Sequence, residues 1–328
     1  MVSYSELATK NSSVDVTGQR ALVAGGTQGI GAGIALRFAL SGASVWLVGR
    51  NENKAADVLE LLNKASAEAA RRSSASSKAA CTTSSVDHQF FKADLSSTAE
   101  VKQVASEIIA KAGKGGIDYL IETAGGPPTG AFETTPEGIE KQYAVQVLSR
   151  VGLAKQLVEA GVIKRSLLMV AAPGQGGKSS IDTDDLDFSQ SHAAGQWWSG
   201  PIGLLNKGKR ASSLLDAACQ HLAESHPNLT FTHVFPGLIN TNALANQGHS
   251  SLLVLAAKIF GPLIGSKPGP GGYAELPFYL LANQEGQRYL EVGKANLIDQ
   301  NLKKRKISEN VQSKEVRQKI WDKLAAYF

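Results

Sequence analysis

Short apolar runs alternate along the chain with stretches whose apolar residues recur at helical spacing. Residues 20–24 (RALVA), 44–48 (SVWLV), 88–92 (HQFFK), 117–122 (IDYLIE), 166–170 (SLLMV) and 229–234 (LTFTHV) read as short buried strands. Between them, helices are predicted over about 30–40, with Ile30, Ile34 and Phe38 on one face, and over 53–70 and 101–112. Thr135 followed by Pro136 predicts a further helix start, since proline suits the first helical position; that helix carries Tyr143, Val147, Val151 and Leu157. Another runs to about Ser225, with Leu214, Leu215, Ala218 and Leu222 facing inward. Strands alternating with helices at this spacing predict an α/β fold, a doubly wound parallel sheet with helices on both faces, as one domain over residues 1–328. Ligands of such sheets sit beyond the carboxyl ends of the strands. Residues 71–85 are dominated by Ser, Ala and Thr without periodicity and predict a flexible insertion near 71–86. A segment near 240–272, rich in Gly, Pro and apolar residues, is expected to cover the substrate site.

Composition narrows the function classes. The formal charge of +5 owes much to Lys303, Lys304, Arg305 and Lys306 and the helix-like tail after them, which read as a solvated tail. No basic face interleaved with aromatics exists, so nucleic acid is not an expected partner. Cys81 and Cys219 form neither a disulfide framework nor a metal-ligand spacing; no metal is expected, and a reducing, cytoplasmic location is. Residues 1–11 are polar and lack an apolar run of signal-peptide length. The most apolar stretch, 252–264, contains Lys258 and Pro262 and is too short to span a bilayer, so no transmembrane segment is expected. The expected partner is a small-molecule substrate, with homo-oligomerisation left open.

The chemistry begins after the first strand. In Ala24-Gly25-Gly26-Thr27-Gln28-Gly29-Ile30-Gly31, glycines 25, 29 and 31 allow a tight turn, a close backbone approach to a pyrophosphate and close helix packing. Thr27, Gln28 and Ile30 complete the turn that opens the helix, whose N-terminus favours phosphate. A glycine pattern carries weight in this context, after a strand and before a helix. The second strand ends Val48-Gly49-Arg50-Asn51. A carboxylate there would accept the ribose hydroxyls of NAD; Gly49 has none, and the Arg50 guanidinium can pair with a 2′-phosphate. An exposed arginine is ordinarily a solvated charge, but this position favours NADP(H).

From about Val16 to Thr241 the chain resembles the short-chain dehydrogenase/reductase family, which implies a Rossmann-type fold. The glycine run is similar to that family's TGxxxGIG, with Ala24 in place of the threonine. The resemblance implies that Asp94 and Leu95 meet the adenine. Thr123-Ala124-Gly125 matches the end of the family's NNAG element, with Glu122 in place of the first asparagine; Ala124 and Gly125 then border the cofactor. Pro236-Gly237-Leu238-Ile239-Asn240-Thr241 resembles the PG motif, which implies that Ile239 and Thr241 meet the nicotinamide carboxamide.

The family's catalytic Asn, Ser, Tyr and Lys are matched poorly. Gln146 falls at the Asn position, and alanines in Val170-Ala171-Ala172-Pro173 fall where the Ser belongs. No tyrosine occurs between Tyr143 and Tyr273. Lys207 or Lys209 is left for the lysine's role, in catalysis and ribose binding; four residues before them stand Gly203 and Leu205, which carry no proton. Hydride transfer to a carbonyl develops an alkoxide that must be protonated or stabilised. Substitutes in the long loop are His192, Trp197, Trp198 and the acidic run Asp182, Asp184, Asp185. An exposed loop residue is the simpler account of His192, and capping of the next helix that of the acids; the tryptophans fit a substrate pocket and plain packing equally. The expected function is an atypical NADP(H)-dependent reductase of a small or medium hydrophobic carbonyl or conjugated substrate. A non-redox cyclase or isomerase, and an NADP(H)-sensing binding protein, remain as alternatives. The chain also resembles divergent fungal members of the family, which implies a place in specialised metabolism.

Overall fold

The computed structural model describes residues 3–76, 86–126, 129–196, 200–241 and 265–328. Seven strands, β1 Arg20–Ala24, β2 Ser44–Gly49, β3 Gln89–Lys92, β4 Ile117–Glu122, β5 Ile163–Val170, β6 Thr230–Val234 and β7 Ala295–Ile298, pair in the order β3-β2-β1-β4-β5-β6-β7. Every pairing is parallel. The near-continuous apolar runs follow from this: β1, β2 and β4 are buried on both faces, which only a sheet covered by helices on both sides requires. The chain leaves β1 toward β2 and β3, then returns to place β4 on β1's other side. That reversal opens a crevice at the carboxyl ends of β1 and β4.

One face is covered by α1 (Tyr4–Asn11), α2 (Gly29–Ala39), α3 (Glu52–Ser76) and, from beyond β6, Glu275–Ala282. Arg37 of α2, almost fully buried, ties α1 and Glu275–Ala282 to its own helix: it donates to Glu275 and Ser41 and to the Asn11 carbonyl, each at 2.8 Å. The other face is covered by α4 (Thr98–Ala112), α5 (Ser149–Glu159) and α6 (Gly200–Ser225). The helix Glu275–Ala282 is α7, and α8 is Lys314–Ala325.

Several expectations change. The helix expected at Pro136 begins instead at Lys141. Thr135–Gly138 closes as a β-turn, Gly138 N donating to Thr135 O at 2.9 Å, so Pro136 takes the second turn position, where its fixed φ suits equally well. Entry to α5 then runs through a helical turn, Lys141–Tyr143, and a π-helical turn, Ala144–Leu148. Helix α3 continues through Ser76, so the first part of the expected insertion is helical; residues 77–85 lie outside the described residues. Most of the expected covering segment, residues 242–264 including 252–264, also lies outside them.

The tail is not solvated. Ile320 and Leu324 of α8 are fully buried against Val151, Leu214 and Ala218, and Trp321 stacks on His221 with ring centres 4.2 Å apart. The basic cluster before it is partly neutralised by Lys304–Glu291 and Arg305–Asp299 ion pairs. Among the described residues, no helix is long and apolar enough to cross a membrane.

Candidate active site

At the carboxyl end of β1 the chain turns through Gly25 with φ +80°, a left-handed conformation that costs a non-glycine residue energy. A Cβ on Gly25 would also lie 2.7 Å from the Ala124 amide nitrogen, so this turn presses against the end of β4. Gly31, in the first turn of α2, is equally tight: a Cβ there would meet Gly25 O at 2.3 Å. Thr123 Oγ1 closes the same contact by donating to Ala24 O at 2.9 Å. Gln28, the N-cap residue, makes no side-chain cap, and the first turn of α2 holds no acid. Thr27 and Ile30 flank it, half-buried. The turn thus offers free amides at a positive helix end, a site for a phosphate. Thr241 stands beside it, its Cγ2 3.5 Å from where a Gly29 Cβ would be. Ile239 is fixed by a parallel bridge to Ser266. Asp94, Leu95, Ala124, Gly125 and Thr241, far apart in sequence, therefore gather along one edge of the sheet with the glycine turn.

Around the end of β2, Gly49 leaves room for Thr27, whose Cγ2 would lie 2.9 Å from a Cβ at this place. Arg50 is 66% exposed, with Nη1 3.6 Å from Asp94 Oδ2, so its guanidinium remains accessible to a second anion. Lys54, in the first turn of α3, donates to Gln28 Oε1 at 2.6 Å and adds a second cation. Burial opposes ionisation of Asp94, but two hydrogen bonds from Ser96 and the nearby Arg50 outweigh it, holding the carboxyl pKa below its ordinary value. Leu95 is buried beneath this corner.

At the other end of the crevice, Gln146 lies within the π-helical turn, a feature often found at functional positions. Its amide is clamped: Nε2 donates to Gly126 O, and Oε1 accepts from Arg150 Nη1 at 3.1 Å. Arg150 also donates to Gln146 O at 2.8 Å, Ala124 O at 2.7 Å and Val170 O at 3.0 Å. Glu122 is fully buried at the end of β4, and burial pushes its pKa well above the carboxylate range despite Arg150 nearby.

The structure separates the two lysines. Lys209 is exposed, whereas Lys207 is buried on the same inward stripe of α6 as Gly203, one turn earlier. Lys207 forms an ion pair with Glu140 at 2.9 Å, both side chains being 5% exposed or less, and donates to Ala131 O. Glu140 in turn caps the helical turn by accepting from Tyr143 N at 2.7 Å. Ala171 and Ala172 follow β5, half-buried, and Ser212 Oγ donates to Ala172 O at 2.5 Å. The acids of the long loop have structural work: Asp185 accepts from Gln190 N, Ser191 N and Ser191 Oγ, capping a short helix, Ser189–Ala193. His192, on that helix, is exposed and stacks on Phe132 with ring centres 3.9 Å apart. Trp197 and Trp198 lie outside the described residues.

Sequence reasoning missed Lys54, Glu140 and Arg150. Arg150 left one signal, a charge amid the apolar stripe Val147, Leu148 and Val151.

A profile for short chain dehydrogenases matches residues 19–166, from β1 into β5. Over that stretch, just under half of its length, the chain is similar to the short-chain dehydrogenase/reductase family, an oxidoreductase family that uses nicotinamide cofactors. One relative is Oxidoreductase AN1596 of Emericella nidulans, 27% identical over 229 residues, 69% of this chain and 60% of that protein. The chain thus spans well under two thirds of that relative's length. In shape it is similar to a short-chain dehydrogenase from Burkholderia cenocepacia in complex with NADP, at TM-score 0.58 and 19% identity, covering 88% of this chain and 98% of that one. It is similar also to an actinorhodin polyketide ketoreductase variant with NADPH, at TM-score 0.55 and 20% identity, covering 87% and 97%. Both likenesses concern the fold.

Proposed function

We propose that the protein is an NADP(H)-dependent reductase of a small or medium hydrophobic carbonyl or conjugated substrate, with an altered catalytic set. The observation that carries the cofactor choice is the end of β2: Gly49 presents no carboxylate to a ribose hydroxyl, while Arg50 and Lys54 stand at the adjoining corner. The dinucleotide fits the rest of the edge. The left-handed turn at Gly25, the uncapped N-terminus of α2 and the neighbouring Thr241 suit a pyrophosphate. Asp94 and Leu95 suit the adenine, and Ala124, Gly125, Ile239 and Lys207 the nicotinamide half.

When bound, the cofactor supplies or accepts a hydride. The residues of this chain then have to stabilise the negative charge that develops on the substrate oxygen. Gly203 and Ala172 offer neither a proton nor a hydrogen bond through a side chain, and the Gln146 amide is held by Gly126 and Arg150. Lys207 is a cation on the inward face of α6, paired with Glu140 at 2.9 Å. A conjugated acceptor spreads its charge away from the hydride-accepting carbon and depends less on an acid there, so enones are the favoured substrates. The engagement of Lys207 by Glu140 and Ala131 also supports a second reading, an NADP(H)-binding sensor without turnover.

Fluorescence titration tests the cofactor choice. NADPH is expected to bind more tightly than NADH, Arg50→Asp to abolish the difference, and salt to weaken NADPH more. Equal affinities in the parent protein refute it. NADPH oxidation at saturating cofactor, with enones beside simple ketones, separates reductase from sensor. Simple-ketone turnover above about 1 s⁻¹, an ordinary enzyme rate, would show that another residue supplies the acid.

A further inference from the structure

Arg150 is a guanidinium 2% exposed, and its hydrogen bonds end on neutral acceptors: the carbonyls closing β4 and β5 and the Gln146 backbone and amide. Its Nε has no hydrogen-bond partner among the described residues, and neither has either carboxyl oxygen of Glu122. No carboxylate of the described residues lies within ion-pair distance of it. We propose that Arg150 sets an uncompensated positive charge beneath the strand ends that receive the nicotinamide half of the cofactor, and that this charge makes the site bind the reduced cofactor more tightly than the oxidised one.

This redox-state preference rests on the reading of this edge as a nicotinamide site. The oxidised and reduced cofactors carry the same phosphates, but the oxidised nicotinamide ring bears a positive charge that the reduced ring lacks. A fixed cation below the ring's floor therefore repels one form and is indifferent to the other. Burial in a weakly polarisable interior lets that repulsion act over several ångströms, where water would quench it. Carbonyl dipoles align with the guanidinium and satisfy its hydrogen bonds without cancelling its net charge. Glu122 is the nearby carboxyl that could cancel it, and its burial keeps it neutral, as burial keeps the Cys219 thiol neutral on the same side of the sheet. Burial also lowers the Arg150 pKa, but a guanidinium keeps its proton at neutral pH.

Dissociation constants for NADPH and NADP⁺, and in parallel for NADH and NAD⁺, are measured by calorimetry on the full chain, on Arg150→Met, Arg150→Lys and Glu122→Gln. The parent is expected to bind the reduced form more tightly, with a ratio unchanged by salt because the charge is buried. Arg150→Met should shrink that ratio at least about threefold, the scale of one charge acting through a protein interior. Arg150→Lys and Glu122→Gln should hold it within about twofold, the first by keeping the charge and the second by replacing one neutral group with another. A parent preference for the oxidised form, or a folded Arg150→Met with an unchanged ratio, overturns the proposal. So does a several-fold rise of the ratio in Glu122→Gln, which would mean that an ionised Glu122 had been cancelling Arg150. Should Arg150→Met not fold, the parent ratio and the other two variants decide. Binding of the NADH pair alone refutes the NADP(H) reading while leaving the ratio test intact, and binding of neither pair overturns both.

Discussion

The Lys207–Glu140 pair gives a prediction whose size can be worked from the structure. Both side chains are buried, at 5% and 3% exposure, and the second Glu140 oxygen caps Tyr143 N. Removing one charge strands the other away from water, which costs about 3–5 kcal/mol, whereas replacing both with uncharged groups is often close to neutral. Glu140→Gln isolates the charge, because the amide oxygen can still accept from Tyr143 N. Unfolding entropy scales with length, and for 328 residues it is about 0.7 kcal/mol/K. The single substitution should therefore lower Tm by about 4–7 °C. Lys207→Met should do the same from the other side. The double variant should recover much of the loss, giving a coupling of about 2 kcal/mol or more by a double-mutant cycle. Calorimetric unfolding of the four proteins is the assay. Effects that add to within about 0.5 kcal/mol would refute the pair as a coupled buried unit.

Glu137 accepts four hydrogen bonds from Ser97, Thr98 and Ala99 at the start of α4; burial opposes its ionisation, but these bonds prevail and hold its pKa at about 2. A depressed carboxyl pKa contributes stability that is complete above the unfolded value near 4.3 and fades as pH falls toward the folded one, roughly 1 kcal/mol after allowance for exposure. A carboxyl-carbon NMR titration should give a Glu137 midpoint near 2, and one above about 4 would contradict the network. Leu324→Ala, at a fully buried position of α8, should cost about 2–5 kcal/mol, or about 3–7 °C in Tm, where a solvated tail would show no change.

These sites differ in how far the sequence exposed them. The glycine turn was legible because its requirements are local: a strand, a left-handed glycine and a helix N-terminus lie within a few residues of one another. Strand β7 and helix α7 were not legible, since β7 is only Ala295–Ile298 and follows a long region without alternation. Pro136 misled because a turn and a helix start both accept its fixed φ, and the choice was made by Gly138 and by the Glu140 cap, several residues away. The tail was read by charge, yet its apolar residues at 320 and 324 decide its docking, and their partners lie on α5 and α6.

The lysine shows why spacing alone could not complete the site. Lys207 and Lys209 are equally spaced from residues that carry no proton, and only the direction of the helix face tells them apart. Packing of α6 turns Gly203 and Lys207 inward and leaves Lys209 in water. Burial then imposes a demand that position 209 never meets: a charged ammonium away from solvent requires a carboxylate, and the fold provides Glu140, whose backbone position is fixed by the Thr135–Gly138 turn and the helical turn it caps. The same logic applies across the crevice, where Arg150 is buried without such a carboxylate among the described residues. One cation of this site is neutralised by the fold and the other is not, and that asymmetry concerns charge at the strand ends, which a spacing of residue types along the chain does not encode.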